Sequence, residues 1–281
     1  MYKYAMTQWI VGNEDMEISF KRLQKYGYDA IEFAADPYGL DVNRCLGLME
    51  QYGMKCYSLC GMFSEERDLT APREKAQTAI QYLRDSVDFA VAVGAKLIIV
   101  VPSPVGRVAP PEGMTMEELW SNAVANVREA ADYAQEKGVK LAIEAINRYE
   151  TYFVNTLTKA YKLVKEIDHP AVGIMADTFH MSLEENSMVK AIRMIADKLI
   201  HVHIADNTRE PAGLGTTDFK EILYALQDVG YQGICAMEFM YRLANPYASM
   251  GMDTQSTLMD DYAGQAIAHM KMLEKAVGMT Y

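Results

Sequence analysis

Four short apolar runs in the second half of the chain each end on a side chain that can bind a metal. "KLAIEAIN" carries Glu144, "GIMADTFH" carries Asp177, "IHVHIAD" carries His203 and "CAMEF" carries Glu238. A carboxylate buried in such a run is costly unless something neutralises it. Three carboxylates and one imidazole brought to one point repel each other unless a divalent cation sits among them. An oxygen-rich set with a single nitrogen suits Mn²⁺ first, with Mg²⁺ and Co²⁺ as alternatives, over the thiolate sets of structural zinc. Taken singly, each residue has a plainer reading: a helix N-cap or salt-bridge partner for Glu and Asp, a hydrogen-bonded core residue for His. Their joint placement at successive strand ends carries the metal reading. His201 shares the inward face with His203 under strand alternation but lies one layer deeper, so His203 is the expected ligand.

A second set trails the first. Glu150 follows Glu144 by six positions, His180 follows Asp177 by three and Arg209 follows His203 by six. Each alone reads as an ordinary surface residue of a loop. Together, facing one mouth, they offer the donors and acceptors that a polyhydroxylated ligand needs.

For these side chains to meet, the strands must run parallel and their C-terminal ends must converge. The sequence supplies that frame. Helical stretches ending near Gly or a short turn lead into apolar runs in "LQKYGYDAIEFA", "MEQYGMKCYSLC", "AVAVGAKLIIVV", "AQEKGVKLAIEA", "IDHPAVGIMADT", "ADKLIHVHIA" and "LQDVGYQGICAMEF". With "YKYAMTQW" at the start, eight strands alternate with helices, which predicts an α/β fold: a single-domain (β/α)8 TIM barrel over residues 1–281. An open doubly wound sheet is the runner-up, weakened because no GxGxxG follows the first strand. Two stretches, 103–114 ("SPVGRVAPPEGM") and 239–256 ("FMYRLANPYASMGMDTQS"), read as long loops over the catalytic mouth.

Composition excludes several classes of function. The 281 residues carry 27 basic and 38 acidic side chains, a net charge of −11, which argues against a phosphate track for nucleic acid. Five histidines on an acidic chain also argue against a His-rich, multi-metal DNA-repair phosphodiesterase. No apolar run is long enough to span a bilayer, and "MYKYAMTQWIVGNED" has no leader pattern, so no membrane partner and a cytoplasmic location are expected. Cys45, Cys56, Cys60 and Cys235 lack paired CxxC spacing and read as structural thiols.

The stretches "IEAINRYETYFVNT", "ADTFHMSLEENS", "HVHIADNTREPAGLGTTDF" and "AMEFM", in this order, resemble the ketose 3-epimerases of the D-tagatose 3-epimerase and D-allulose (psicose) 3-epimerase type, members of the xylose-isomerase-like barrels. The resemblance is strongest over 140–240; earlier, "YDAIEFA" and "DLTAPREKA" match weakly. It implies a divalent metal on Glu144, Asp177, His203 and Glu238, substrate contacts from Glu150, His180 and Arg209, a small-molecule sugar substrate, and a homodimer or homotetramer. The implied reaction inverts C3 of a free 2-ketose of the D-tagatose, D-fructose/D-allulose or L-ribulose type through a metal-stabilised enediolate. Glu144 and Glu238 then flank C3 as the catalytic acid and base. The loops "CGMFSEERD" and "VPSPVGRVAPPEG" depart from the family pattern and leave the sugar preference open. Within the superfamily the alternatives are an aldose–ketose isomerase and an epimerase of a sugar phosphate or modified sugar. For a phosphate, "NPYASMG" (245–251) offers backbone and hydroxyl donors but no lysine cluster. A sugar-binding barrel without catalysis is disfavoured, since both candidate bases are present.

Overall fold

The computed structural model describes residues 1–242 and 256–279. Strands β1 (Lys3–Thr7), β2 (Ala30–Ala34), β3 (Lys55–Cys60), β4 (Leu97–Val100), β5 (Lys140–Glu144), β6 (Val172–Asp177), β7 (Leu199–Ile204) and β8 (Ile234–Met237) pair in parallel in sequence order. β8 pairs back onto β1, closing the barrel. Around it lie α1 (Met16–Tyr26), α2 (Val42–Tyr52), α3 (Arg73–Val93), α4 (Met116–Glu136), α5 (Leu157–Ile167), α6 (Thr178–Glu184), α7 (Met188–Met194), α8 (Phe219–Asp228) and α9 (Ser256–Ala276). Two short helices, α6 and α7, share the β6–β7 crossover.

The strands read as unbroken apolar runs because both faces are covered, by helices outside and by barrel contents inside. β4, "LIIV", is buried at every position. Local signals set the helix ends. Thr115 and Glu118 form a reciprocal capping box at the start of α4. α1 and α2 stop at Gly27 and Gly53, with φ of 72° and 64°, where a Cβ would be strained. At the end of α5 that position belongs to Asp168, with φ of 45°, since aspartate tolerates the left-handed region better than most residues.

Inside, Ala5 is in register with both Ala30 and Ala236, and the three pack as a small cluster of their own. Toward the C-terminal ends the interior turns polar. The expected loop at 103–114 is present between β4 and α4, and it is fastened on both sides. Gly106 N donates to Glu150 O at 2.8 Å and Tyr152 N to Arg107 O at 3.1 Å, while Arg107 Nη1 donates to Asp68 at 2.8 Å. The other expected loop lies largely at 243–255, outside the described residues, and so does "NPYASMG". All four cysteines are buried, and none forms a disulfide. Among the described residues no helix is long and apolar enough to cross a membrane.

The seam where the chain's end meets its beginning rests on one buried cation. Arg22 of α1 has a fully buried side chain; it pairs bidentately with Glu14 at 2.6 Å and reaches Asp260 of α9 at 2.7 Å. Removing one member of such a cluster leaves the other charged in a dry environment. Arg22→Met is therefore expected to lower unfolding stability by about 3–5 kcal/mol. Urea denaturation would measure it, and a loss within experimental error of zero would show that the seam is held by packing alone.

Candidate metal centre and pocket

The four strand-end residues converge. Glu144, Asp177, His203 and Glu238 are all buried, and each offers a ligand atom lying within 4.8 Å of the others. His203 Nδ1 is 3.4 Å from Glu238 Oε2 and 3.6 Å from Asp177 Oδ2, yet it has no hydrogen-bond partner. Its other nitrogen is committed: Nε2–H donates to Glu32 Oε1 at 2.8 Å. With Nε2–H committed to Glu32, Nδ1 is the nitrogen that faces the carboxylates and the one available to a cation.

Charge makes the same point. Burial first, then the Glu238 and Asp177 carboxylates, push Glu144 well above the usual carboxylate range. Burial would lower His203, but the Glu32 and Glu238 carboxylates hold it well above the ordinary imidazole value. Burial opposes the ionisation of Asp177 as well, but the His180 and His203 imidazoles hold it well below the usual carboxylate range. The residues present fit a divalent cation, with three hard oxygen donors and one imidazole nitrogen.

Below this layer lies a support that the strand-end pattern does not reveal. Glu32 of β2 accepts from both His203 Nε2 and His201 Nε2, each at 2.8 Å, and also from Ser58 Oγ. Burial opposes its ionisation, but the two imidazoles hold it well below the usual range, so it acts as an acceptor. His201 sits beneath His203, as strand alternation predicts, and braces Glu32. Trp9, just after β1, donates Nε1–H to Glu238 Oε1 at 3.1 Å and so orients that carboxylate.

Asp177 has two tasks. Its Oδ1 accepts from His180 N at 2.9 Å and caps α6, while Oδ2 faces His203. His180 therefore stands in the first turn of a helix, where the sequence reading places a loop. Asn147 supplies two donors to His180 Nδ1, from Nδ2 at 2.8 Å and from its backbone N at 3.4 Å. Those donors place the imidazole proton on Nε2, which lies 3.8 Å from Glu144. Glu150 accepts from Asn147 Nδ2 at 2.8 Å and from Arg209 Nη1 at 2.9 Å. Arg209 adopts φ of 62°, unusual for a residue with a Cβ, and stacks over Phe179 with Cζ 4.6 Å from the ring centre.

These groups open onto a pocket of about 460 Å³ that includes Glu144, His180, Arg209 and Glu238 at one end. The seven residues singled out in the sequence thus occupy one site, and Glu32, Trp9 and Asn147 join them.

Two outcomes follow for metal binding. Glu32→Gln is expected to weaken Mn²⁺ binding about 10–100-fold, because the amide cannot accept from both imidazoles as a carboxylate does. Chelator competition measures this without any substrate. Unchanged affinity would mean that His203 needs no such brace. Glu150→Gln should leave metal affinity near that of the unmodified protein.

Comparison with known proteins agrees with this geometry. The xylose isomerase-like TIM barrel family matches residues 20–269. An L-ribulose 3-epimerase of Methylomonas sp. is 32% identical over 253 residues, covering 87% of each chain. Among solved structures, a Methylomonas sp. D-allulose 3-epimerase in complex with D-allulose superposes with a TM-score of 0.84 at 27% identity, covering 96% of each chain. A Clostridium cellulolyticum D-psicose 3-epimerase with D-tagatose gives 0.86 at 26% identity, covering 96% of this chain and 99% of the other. The chain belongs to the xylose isomerase-like TIM barrel family, alongside the ketose 3-epimerases.

Proposed function

We propose that this chain is a metal-dependent epimerase that inverts C3 of a 2-ketose, removing the C3 proton from one face and returning it to the other. Free ketoses of the D-tagatose, D-fructose/D-allulose or L-ribulose type are its simplest substrates. The observation that carries the reading is the pair of buried carboxylates, Glu144 and Glu238, at the floor of a pocket beside Asp177 and His203.

A hydrogen on C3 of a 2-ketose lies next to the carbonyl, so its loss leaves negative charge shared between C3 and the C2 oxygen, which must be stabilised. A divalent cation, Mn²⁺ by preference, would be held by Glu144, Asp177, His203 and Glu238 and would supply Lewis-acid stabilisation of that charge. Glu144 and Glu238 enter from different strands and offer a proton acceptor and a proton donor on opposite faces of C3. Trp9 keeps Glu238 aimed by holding Oε1. His180 presents Nε2–H to a substrate oxygen near C1 or C2, in the tautomer that Asn147 imposes. Arg209, held by Glu150, brings a fixed positive charge to the same end. Interconversion of free sugars fits a cytoplasmic enzyme, and the family resemblance implies a homodimer or homotetramer.

The test is incubation of a panel of 2-ketoses in D₂O with metal present, followed by NMR. Deuterium is expected at C3 of both epimers. Label at C1 or C2 with an aldose product would instead identify an aldose–ketose isomerase. Glu144→Gln and Glu238→Gln should each lower interconversion by about 10²–10⁴-fold, as loss of a general acid or base does. Full activity in both variants would overturn the two-carboxylate assignment. Chelation should abolish turnover and lower the melting temperature, with Mn²⁺ restoring both.

A further inference from the structure

The lining of the pocket also holds apolar side chains that the metal centre does not use: Met62, Phe63, Val101, Val105 and Ile146. Arg67, from the β3–α3 loop, joins that apolar lining. Its place is fixed. Nη1 donates to Met62 O at 2.8 Å, and the guanidinium lies on the face of Tyr82 with Cζ 3.9 Å from the ring centre. Tyr82 is anchored in turn, donating its hydroxyl proton to Ala35 O at 2.7 Å and accepting from Met62 N at 2.8 Å.

Among the described residues no carboxylate pairs with Arg67, although acids surround it in "SEERD". Glu65 and Asp68 both turn to Arg107 of the β4–α4 loop, Asp68 at 2.8 Å, and Glu66 is exposed. The contrast with Arg209 is plain, since Arg209 is tied to Glu150 at 2.9 Å. A guanidinium has five donors in a planar fork, and Arg67 spends one of them on the backbone. Half-buried against an aromatic face, it is a prepared partner for a carboxylate or phosphate. A hydroxymethyl group leaves its charge unanswered. The subsite lies in the two loops where the sequence departs from the 3-epimerase pattern.

We propose that the part of the pocket lined by Arg67 is an anion subsite, and that the preferred substrate is a 2-ketose bearing a phosphate or carboxylate group on its terminal carbon, bound by the Arg67 guanidinium. The inference rests on the C3-epimerase reading and adds a preference to it; free ketoses remain substrates.

The experiment uses the metal-loaded protein in two arms. In the first, a 2-ketohexose, its 6-phosphate and its C6 carboxylate are compared by C3 exchange. One anionic form should exceed the neutral parent in kcat/KM by about tenfold, mostly through KM, with the advantage shrinking as salt is added. Whichever form gains identifies the anion. Arg67→Met, which keeps a stem over Tyr82, should remove that ratio, and Arg67→Lys should restore part of it. In the second arm, calorimetry follows a hexitol, its 6-phosphate and the corresponding hexonate, none of which can lose a C3 proton to an adjacent carbonyl. One of the two anions should bind about tenfold tighter than the hexitol, and Arg67→Met should erase the difference. If no ketose exchanges at C3, the activity reading fails while the second arm still decides the subsite. Equal binding of the three non-reacting ligands, or an anion advantage that survives Arg67→Met, overturns the proposal.

Discussion

Four charged or chargeable side chains in one dry place set the terms for the rest of this barrel. Glu144, Asp177, His203 and Glu238 are each almost wholly excluded from water, and their ligand atoms crowd within 4.8 Å. No apolar packing can stabilise such a group; only opposite charge and directed hydrogen bonds can. From below, Glu32 accepts one hydrogen bond from each of two imidazoles and fixes which nitrogen of His203 looks upward. From the side, Trp9 donates to Oε1 of Glu238 and the α6 backbone to Oδ1 of Asp177. The barrel around them acts as a rigid frame whose eight strands hold the ligands within reach of one ion.

The sequence displays the upper layer of this arrangement more openly than the lower. Glu144, Asp177, His203 and Glu238 are visible because each interrupts an apolar run within one residue of its strand's C-terminal end. The eight strands are visible because turn signals separate short apolar runs at regular intervals. Glu32 poses the same puzzle in "AIEFA", a carboxylate inside an apolar strand, but its partners lie 169 and 171 positions away and no local spacing connects them. Trp9 is 229 positions from Glu238, and before folding it reads as one more aromatic of the core. Asn147 sits in plain view beside Glu144, but its task is to set the tautomer of His180, and a tautomer leaves no trace in composition. The helical setting of His180 escapes the pattern because α6 has only seven residues and begins on the ligand Asp177 itself.

Chemistry and selectivity are divided between different stretches of chain. Glu144, Asp177, His203 and Glu238, with Glu150, His180 and Arg209, come from β5 to β8 and the segments that follow them. Met62, Phe63, Val101 and Val105 of the pocket lining come from the β3 and β4 loops, which Arg107 ties together through Glu65 and Asp68. Loops fastened to each other can change sequence as a unit without disturbing strands on the far side of the barrel.

Asp177 narrows what mutation can do to this site. One oxygen ends the hydrogen-bond debt of α6 and the other faces the metal-binding nitrogen. Asparagine can cap a helix but carries no charge for an ion, while glutamate carries the charge on a stem one methylene too long for a favoured cap. The two demands fall on a single side chain and leave aspartate as the residue that meets both. A lineage keeping this barrel could exchange its sugar by small steps in the loops, whereas abandoning the ion would also unmake the turn that presents His180, so the two losses would arrive together.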